Sequence, residues 1–147
     1  MAVTLVRFKR KERNPKKKRK TSDRKKLMNQ CDELWRQIIK LQAKGKCQVC
    51  AYLGKDVPGR DSHHVVSRRH FATRWWPENG IHLCFTDHQP RGHDDPINFS
   101  DILVKILGED KIRMLKERAK KVWQPKMGDL LAVKELLKIH LTKLEDG

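Results

Sequence analysis

The sequence lacks long apolar runs, and this excludes a membrane-spanning segment. Hydrophobic residues make up 37% of the 147 residues, and they occur in runs of only a few. A transmembrane helix needs about 20 consecutive apolar residues. Residues 1–6 are also too short for the hydrophobic part of a secretory signal, and the basic residues follow them instead of preceding them. We therefore expect a cytoplasmic protein with no membrane partner.

Acidic residues are scarce relative to basic ones. The chain has 18 Asp and Glu against 34 Lys and Arg, which gives a formal net charge of +16. This imbalance is typical of proteins that bind a polyanion and unusual for an enzyme of small acidic metabolites. Most of the excess lies between Arg7 and Lys26, where thirteen basic residues accompany only two acids.

The basic N-terminal arm, residues 1–22, has almost no apolar residues and no periodicity from Arg7 onward. We expect it to be disordered when free and to bind phosphates without reading sequence. A solvated tail that aids solubility is the alternative, and a nuclear localisation signal would look similar. The predicted phosphate-binding residues of this arm are Lys16, Lys17, Lys18, Arg19 and Lys20.

Helical periodicity is present on both sides of an irregular centre. Apolar residues recur at three- and four-residue steps over 27–41, which predicts a helix within residues 23–45. The same pattern returns after Pro96 in three stretches. Between them, residues 46–95 are rich in Cys, His, Gly and Trp and have short apolar runs. The predicted fold class is therefore mostly α, with a small functional centre at 46–95 and a C-terminal helical tail at 96–147 that supplies the core.

The chain has only four cysteines, and the spacing of three of them indicates a metal site. Cys47 and Cys50 form a C-x2-C pair, and two thiolates at this spacing can bind one Zn²⁺. Cys84 and Asp87 follow where a second C-x2-C pair is usual, and aspartate is an accepted zinc ligand. We predict a structural zinc bound by these four residues, with His88 or water as the alternative fourth ligand. Free thiols or a redox pair are the competing interpretation. The remaining cysteine, on the apolar face of the first predicted helix, is expected to be buried.

Histidine and asparagine residues follow in an ordered series between these ligands. His63 and His64 precede two valines, as in a short strand, and the Asn79–Gly80 dipeptide is a hairpin signal. A helix is expected after the second strand and would carry His88. Neighbouring histidines on a strand point to opposite faces, so one metal ligand and one general base is the natural division of roles. Imidazole ligands suit Mn²⁺, Ni²⁺, Co²⁺ or Zn²⁺ better than Mg²⁺, which can still bind when phosphate and water complete its shell.

Together these residues resemble a known family. The C-x2-C pair, the D-x-H-H-V segment and the N-G-x-x-L-C-x-x-x-H segment within residues 47–88 look like the HNH endonucleases of the ββα-metal, or His-Me finger, fold. The small zinc-knuckle members that are common in bacteriophage genomes are the most similar. The chain departs from that pattern at Asp87, where the family has the last cysteine of its second pair.

The resemblance implies a role for each matching residue. His63 is the implied ligand of a catalytic metal, His64 is the general base, and Asn79 is the tether of the loop that carries the base. His88 is the implied second ligand of the catalytic metal. His93 has two alternative roles, either a further metal or phosphate contact or a residue at a helix entry.

The activity that the resemblance implies is metal-dependent cleavage of DNA. Phosphodiester bonds would be hydrolysed with a His general base and one divalent metal (Mn²⁺, Mg²⁺, Ni²⁺ or Zn²⁺), leaving 5′-phosphate and 3′-hydroxyl ends. We expect a monomer that nicks double-stranded DNA with weak sequence preference, because so small a basic chain has little surface for reading bases. Arg68 and Arg69 follow His64, the implied general base, and can form charge-assisted hydrogen bonds to neighbouring phosphates. The resemblance also allows a partnership with phage terminase or packaging proteins.

A non-catalytic, zinc-stabilised nucleic-acid-binding module is the alternative function. It accounts for the basic arm and the cysteines equally well, but it gives no role to the ordered histidines and asparagine. A zinc deaminase needs an H-x-E sequence before its cysteines. No glutamate follows His63 or His64 at that spacing, so this function is set aside.

Aromatic residues are few, and four of them are tryptophan. Trp35 and Trp123 are expected in the core. Trp75 and Trp76 are expected to pack over the cysteine pair, with stacking on a nucleobase as the alternative. Asp61, just before the histidine pair, either orients a histidine or has no special role.

Overall fold

The structure, a computed structural model, describes residues 21–88 and 95–147. Within these ranges the helices are α1 (Asp23–Gln42), α2 (Gln48–Tyr52), α3 (Phe71–Arg74), α4 (Pro96–Leu107), α5 (Glu109–Ala119) and α6 (Met127–Asp146). The remaining elements are strands β1 (Asp61–His64) and β2 (Gly80–Leu83), a 3₁₀ turn (Pro77–Asn79) and a helical segment at 85–88. No described helix is long and apolar enough to cross a membrane. The predictions for the arm residues Lys16, Lys17, Lys18, Arg19 and Lys20 and for His93 lie outside the described residues.

Most of the described chain is helical, as predicted, and α1 packs along α6. The Ser22 side chain caps α1 by accepting a hydrogen bond from the N–H of Lys25 at 3.3 Å. Cys31 is fully buried, as predicted, and burial raises the pKa of its thiol to about 11. The buried members of this first core are Leu27, Cys31, Trp35, Ile38 and Ile39 of α1, Leu130 and Leu137 of α6, and Trp75.

A second core surrounds β2 and determines where α4 and α5 pack. Its buried members are Cys47, Val49, Ile81, Leu83, Phe99, Leu103 and Ile112. The three helices that were predicted as one C-terminal tail therefore belong to two different cores. Helices α4 and α5 pack against the centre of the chain, whereas α6 packs against α1. Trp75 corrects a prediction, because it packs in the first core and not over the cysteine pair. Its indole Nε1 donates a hydrogen bond to Asp32 on α1 at 2.8 Å, which holds it there.

The two-stranded sheet carries both adjacent histidines. β1 pairs antiparallel with β2, with His63 opposite Ile81 and His64 opposite Gly80. The strand ends at His64, so the two valines at 65–66 lie in a bend beyond it. The hairpin predicted at Asn79–Gly80 is wrong, because residues 65–79 connect the strands and Gly80 begins β2.

Gly80 is required by close packing and not by a turn. Its φ of −126° is ordinary for a strand. A Cβ at this position would lie 2.3 Å from Cδ1 of Ile39 and 2.8 Å from Cζ2 of Trp35. The absence of a side chain therefore lets the sheet approach α1 closely, and His64 stacks on Trp35 as a result.

A buried carboxylate on α1 fixes the segment between the strands. Asp32 accepts hydrogen bonds from Nε and Nη2 of Arg74 at 3.0 and 2.7 Å and from Nε1 of Trp75 at 2.8 Å. Sequence reasoning missed this ion pair, because its partners are 42 residues apart and no local pattern links them.

Replacing Asp32 by alanine should lower the free energy of unfolding by about 3 kcal/mol, because it leaves the mostly buried Arg74 guanidinium without a counter-ion. Glu33→Ala is the matched control, since Glu33 is the next residue of α1 and forms an exposed pair with Arg36. The control should lose less than about 0.5 kcal/mol. Urea denaturation measures both values, and equal losses would contradict the structural role of Asp32.

Candidate functional site

The three cysteines and one aspartate predicted as metal ligands converge. The Sγ atoms of Cys47, Cys50 and Cys84 lie 3.0, 3.2 and 3.3 Å from Oδ2 of Asp87. All four donor atoms lie within 4.8 Å of one another. Cys47 and Asp87 are buried, whereas the other two cysteines are partly exposed. This group can hold a metal ion, and it contains Asp87 rather than the alternative ligand His88.

Local backbone contacts explain why the first two thiols point to one place. The N–H of Cys47 donates to the carbonyl of Val57 at 2.8 Å, so the chain folds back on itself around α2. Gly54, with a φ of +78°, makes the turn that this return requires. Cys47 caps α2, and its Sγ accepts a hydrogen bond from the N–H of Cys50 at 3.5 Å.

The thiols of Cys47 and Cys50 are neutral at pH 7 when no cation is bound, because their pKa values are raised. Burial is the largest cause that raises the pKa of Cys47 and of Cys50, and their hydrogen bonds to Asp87 raise it as well. A bound cation reverses this effect, because the thiolate is the form that ligates metals. Metal binding at the cluster therefore releases protons, and the affinity for the metal falls as the pH decreases.

A separate surface cleft of about 580 Å³ collects the predicted histidines. Its lining residues are Arg36, Ser62, His63, His64, Val65, Ser67, Arg68 and His88. Arg69, the other predicted phosphate-binding residue of this region, is exposed outside the lining. No carboxylate of the described residues lines the cleft, so its charge favours an anion. Arg36 was missed by sequence reasoning, because only the packing of α1 against the sheet brings it here.

His64 is held as a neutral imidazole. Its ring stacks on Trp35 with the centroids 3.9 Å apart and the planes 8° apart. Its Nε2 donates to the carbonyl of Arg74 at 2.9 Å, and since a carbonyl only accepts, the proton lies on Nε2 and Nδ1 keeps its lone pair. Within residues 21–88 and 95–147, no group forms a hydrogen bond with that Nδ1. Burial lowers the pKa of His64 to about 4, so the ring is uncharged at pH 7.

Asn79 is fully buried and ties the segment that follows His64. Its Nδ2 donates to the carbonyls of Val66 and Thr73, both at 3.0 Å. Its Oδ1 accepts from the N–H of Val66 at 2.7 Å. One side chain thus joins the start of the loop after β1 to α3.

Asn79→Ala should lower the free energy of unfolding by about 2–4 kcal/mol, because two carbonyls and one N–H lose their partner in a buried place. Asn98→Ala is the matched control, since the Nδ2 of Asn98 also donates a hydrogen bond, to Asp95, but at the surface. That variant should change stability by less than about 0.5 kcal/mol. Urea denaturation measures the difference, and its absence would show that Asn79 does not fix the loop.

His63 and His88 lie against each other in the cleft. Their ring centroids are 5.2 Å apart in an edge-to-face arrangement. Nδ1 of His88 lies 3.2 Å from Oδ2 of Asp61, which also accepts from Nε of Arg60 at 2.7 Å. Burial acts to raise the pKa of Asp61, but the hydrogen bonds from Arg60 and His88 outweigh it and lower that pKa. The ionised carboxylate therefore orients His88 by a hydrogen bond.

Comparison of the chain with protein-family models, with curated proteins and with solved structures finds no match. The function is therefore inferred from the cysteine–aspartate cluster and the histidine cleft themselves.

Proposed function

We propose that this protein is a metal-dependent endonuclease of the HNH type that hydrolyses phosphodiester bonds of double-stranded DNA. The observation that supports this best is the content of the cleft, in which His63, His64 and His88 lie together with Arg36 and Arg68. A proton acceptor, imidazole donors for a metal and cations for phosphate are the groups that this hydrolysis needs. The two strands and the helical segment after them would form the ββα-metal centre of that family.

His64 is the proposed general base. Because the Arg74 carbonyl holds the proton on Nε2, Nδ1 is left to take a proton from the attacking water. The oxygen of that water bonds to phosphorus as the bond to the 3′ oxygen breaks. The departing 3′ oxygen takes a proton from solvent water, which leaves a 5′-phosphate and a 3′-hydroxyl end. Stacking on Trp35 restricts rotation of the ring and keeps Nδ1 in position.

His63 and His88 are the proposed ligands of one divalent ion, Mn²⁺, Mg²⁺, Ni²⁺ or Zn²⁺. Their ring centroids, 5.2 Å apart, are close enough for one nitrogen of each ring to ligate the same ion at about 2.0–2.1 Å. The hydrogen bond of Nδ1 to Asp61 leaves Nε2 of His88 as the ligating atom. When bound, the ion would stabilise the charge on the pentavalent phosphorus centre and on the leaving 3′ oxygen. His93 remains a proposed further contact to the metal or phosphate.

Phosphate binding would supply most of the affinity for DNA. Arg36 and Arg68 can bind phosphates next to the cleaved bond, and the basic arm would add affinity that decreases with salt. Phosphate contacts carry no sequence information, so we expect weak sequence preference. The described residues form one histidine cleft per chain, which favours nicking by a monomer. A partnership with phage packaging proteins is proposed from the resemblance alone.

Cys47, Cys50, Cys84 and Asp87 are the proposed ligands of a structural Zn²⁺. Three thiolates and one carboxylate are donor types that bind zinc, and four is the number of ligands in a structural zinc site. With four protein ligands, no position is open for water or substrate, which is why the proposed role is structural. The ion would join α2, which precedes β1, to the segment after β2, at the end of the sheet where Asp61 pairs with Leu83.

Relaxation of a supercoiled plasmid tests this function. The zinc-loaded wild type should leave the plasmid intact without an added divalent ion. Addition of Mn²⁺, Mg²⁺, Ni²⁺ or Zn²⁺ should give open circles before any linear form. DNA ligase should reseal those circles, because it joins 5′-phosphate to 3′-hydroxyl ends. Retardation of the plasmid without cutting under every metal would favour the non-catalytic binding module.

A further inference from the structure

A second cavity lies between the segment that contains α3 and the 3₁₀ turn on one side and the C-terminal helices on the other. Its volume is about 270 Å³. This is just below the roughly 300–1,000 Å³ of typical small-ligand sites. It shares none of its lining residues with the histidine cleft. We call it the aromatic cavity, after the side chains that line it.

Four aromatic side chains line this cavity, Phe71, Trp75, Trp76 and Trp123. They are four of the nine Phe, Trp and Tyr residues in the chain, so the aromatic cavity concentrates a scarce residue type. Trp76 and Trp123 are partly exposed to solvent. Aromatic side chains around an open cavity are typical of sites where an unstacked nucleobase inserts.

The charge at this cavity is positive. Arg118 lines it, donates from Nε to the carbonyl of Ala72 at 2.9 Å, and lies with its guanidinium 3.5 Å from the centroid of the Trp76 ring. An adjoining cavity shares Ala72, Arg118 and Trp123 and adds Lys121. No carboxylate of the described residues lines either cavity. This combination suits a base that is attached to a phosphodiester backbone better than an uncharged apolar group.

We propose that the aromatic cavity binds a single nucleobase of a DNA strand, with Arg118 and Lys121 contacting the phosphates beside it. The proposal rests on the nucleic-acid partner of the proposed function, but it does not require cleavage. The small volume admits one base and excludes a protein helix. Unstacking costs least for a base that is unpaired or mismatched, so this site favours single-stranded or distorted DNA.

The test compares two single-stranded probes of the same length and charge. One is an oligodeoxythymidylate, and the other carries abasic tetrahydrofuran residues throughout, so that only the phosphates remain. The full chain is used without added Mg²⁺ or Mn²⁺. The wild type should bind the base-containing probe at least about fivefold more tightly, as expected for one stacked base.

Variants of the cavity and one control complete the experiment. Trp76→Leu and Trp123→Leu alter residues on opposite sides of the cavity, and each should bring the affinity ratio of the two probes close to one. Affinity for the abasic probe should not change. Tyr52→Leu is the matched control, because Tyr52 is an aromatic residue that is 52% exposed and outside the cavity, and it should keep the wild-type ratio.

Equal affinity of the wild type for both probes would overturn the proposal. An apolar side chain of a protein partner would then be the favoured ligand of the cavity. A base preference that persists in a folded Trp76→Leu or Trp123→Leu protein would overturn it as well. Plasmid nicking separates this proposal from the proposed function. Nicking without a base preference refutes the role of the cavity alone, whereas a base preference without nicking supports the cavity and refutes the nuclease.

Discussion

Replacing His64 by alanine should lower the rate of DNA nicking by about 10²–10⁴-fold, the contribution of a well-positioned general base. The variant removes an imidazole whose burial keeps it uncharged at pH 7 and whose Nε2 proton is held by the Arg74 carbonyl. The affinity for DNA should not change, because Arg36 and Arg68 still line the cleft. The rate is measured at single turnover, with protein in excess over plasmid and a fixed Mn²⁺ concentration.

His70→Ala is the matched control for this variant. His70 is exposed, lies outside the lining of the cleft, and makes no side-chain hydrogen bond that caps α3. Its nicking rate should equal that of the wild type. Wild-type activity in the His64→Ala protein would exclude His64 as the base, whereas equal losses in both variants would indicate weakened DNA binding instead of a missing base.

Cys50→Ser should release the proposed structural zinc and lower the melting temperature by about 8–16 °C. An ion present at about 1,000 times its dissociation constant stabilises the folded state by about 4 kcal/mol. Each kcal/mol shifts the melting temperature of a chain of this size by about 2–4 °C. Thermal unfolding followed by circular dichroism gives the shift. Metal analysis should find one zinc ion per chain in the wild type and none in the variant.

Cys31→Ala separates the loss of a ligand from the loss of a buried thiol. Cys31 is fully buried in the first core, with its Sγ 3.6 Å from the carbonyl of Leu130, and is not a member of the cluster. This variant should be destabilised by the lost packing and still contain one zinc ion per chain. Zinc retained in Cys50→Ser, or lost in Cys31→Ala, would contradict the proposed ligand set.

The cysteine–aspartate cluster could be predicted because its signals are local. The C-x2-C pair at 47–50 and the Cys-x2-Asp pair at 84–87 each place two donors within four residues. Residues 51–83 then only have to form a loop that brings the two pairs together, and the four donor atoms do converge. The mostly helical composition was predictable for the same reason, since apolar periodicity is a property of short segments.

The strand limits could not be predicted, because packing overrides local preference here. All four residues of β1 are only partly buried, so no alternation of apolar and polar residues marks the strand. Asn79 and Gly80 form a dipeptide that is typical of a hairpin turn, but in this structure each has a different role. The Asn79 side chain is used to hold the loop, and Gly80 makes room for Ile39 and Trp35.

Several residues depend on contacts that no sequence pattern records. Asp32 pairs with Arg74 and Trp75 across more than 40 residues of chain. Arg36 reaches the cleft only because α1 packs against the sheet. Such contacts follow from the tertiary arrangement of elements, which periodicity and spacing do not specify.

The most direct test of the proposed nuclease site is conversion of supercoiled plasmid by the wild type and His64→Ala side by side, with and without added Mn²⁺. The proposed site predicts open circles only with the wild type and only when the metal is present. If neither protein cuts with any of the four metals while both retard the plasmid on a gel, the cleft is not a nuclease site. The chain would then be a zinc-stabilised nucleic-acid-binding module.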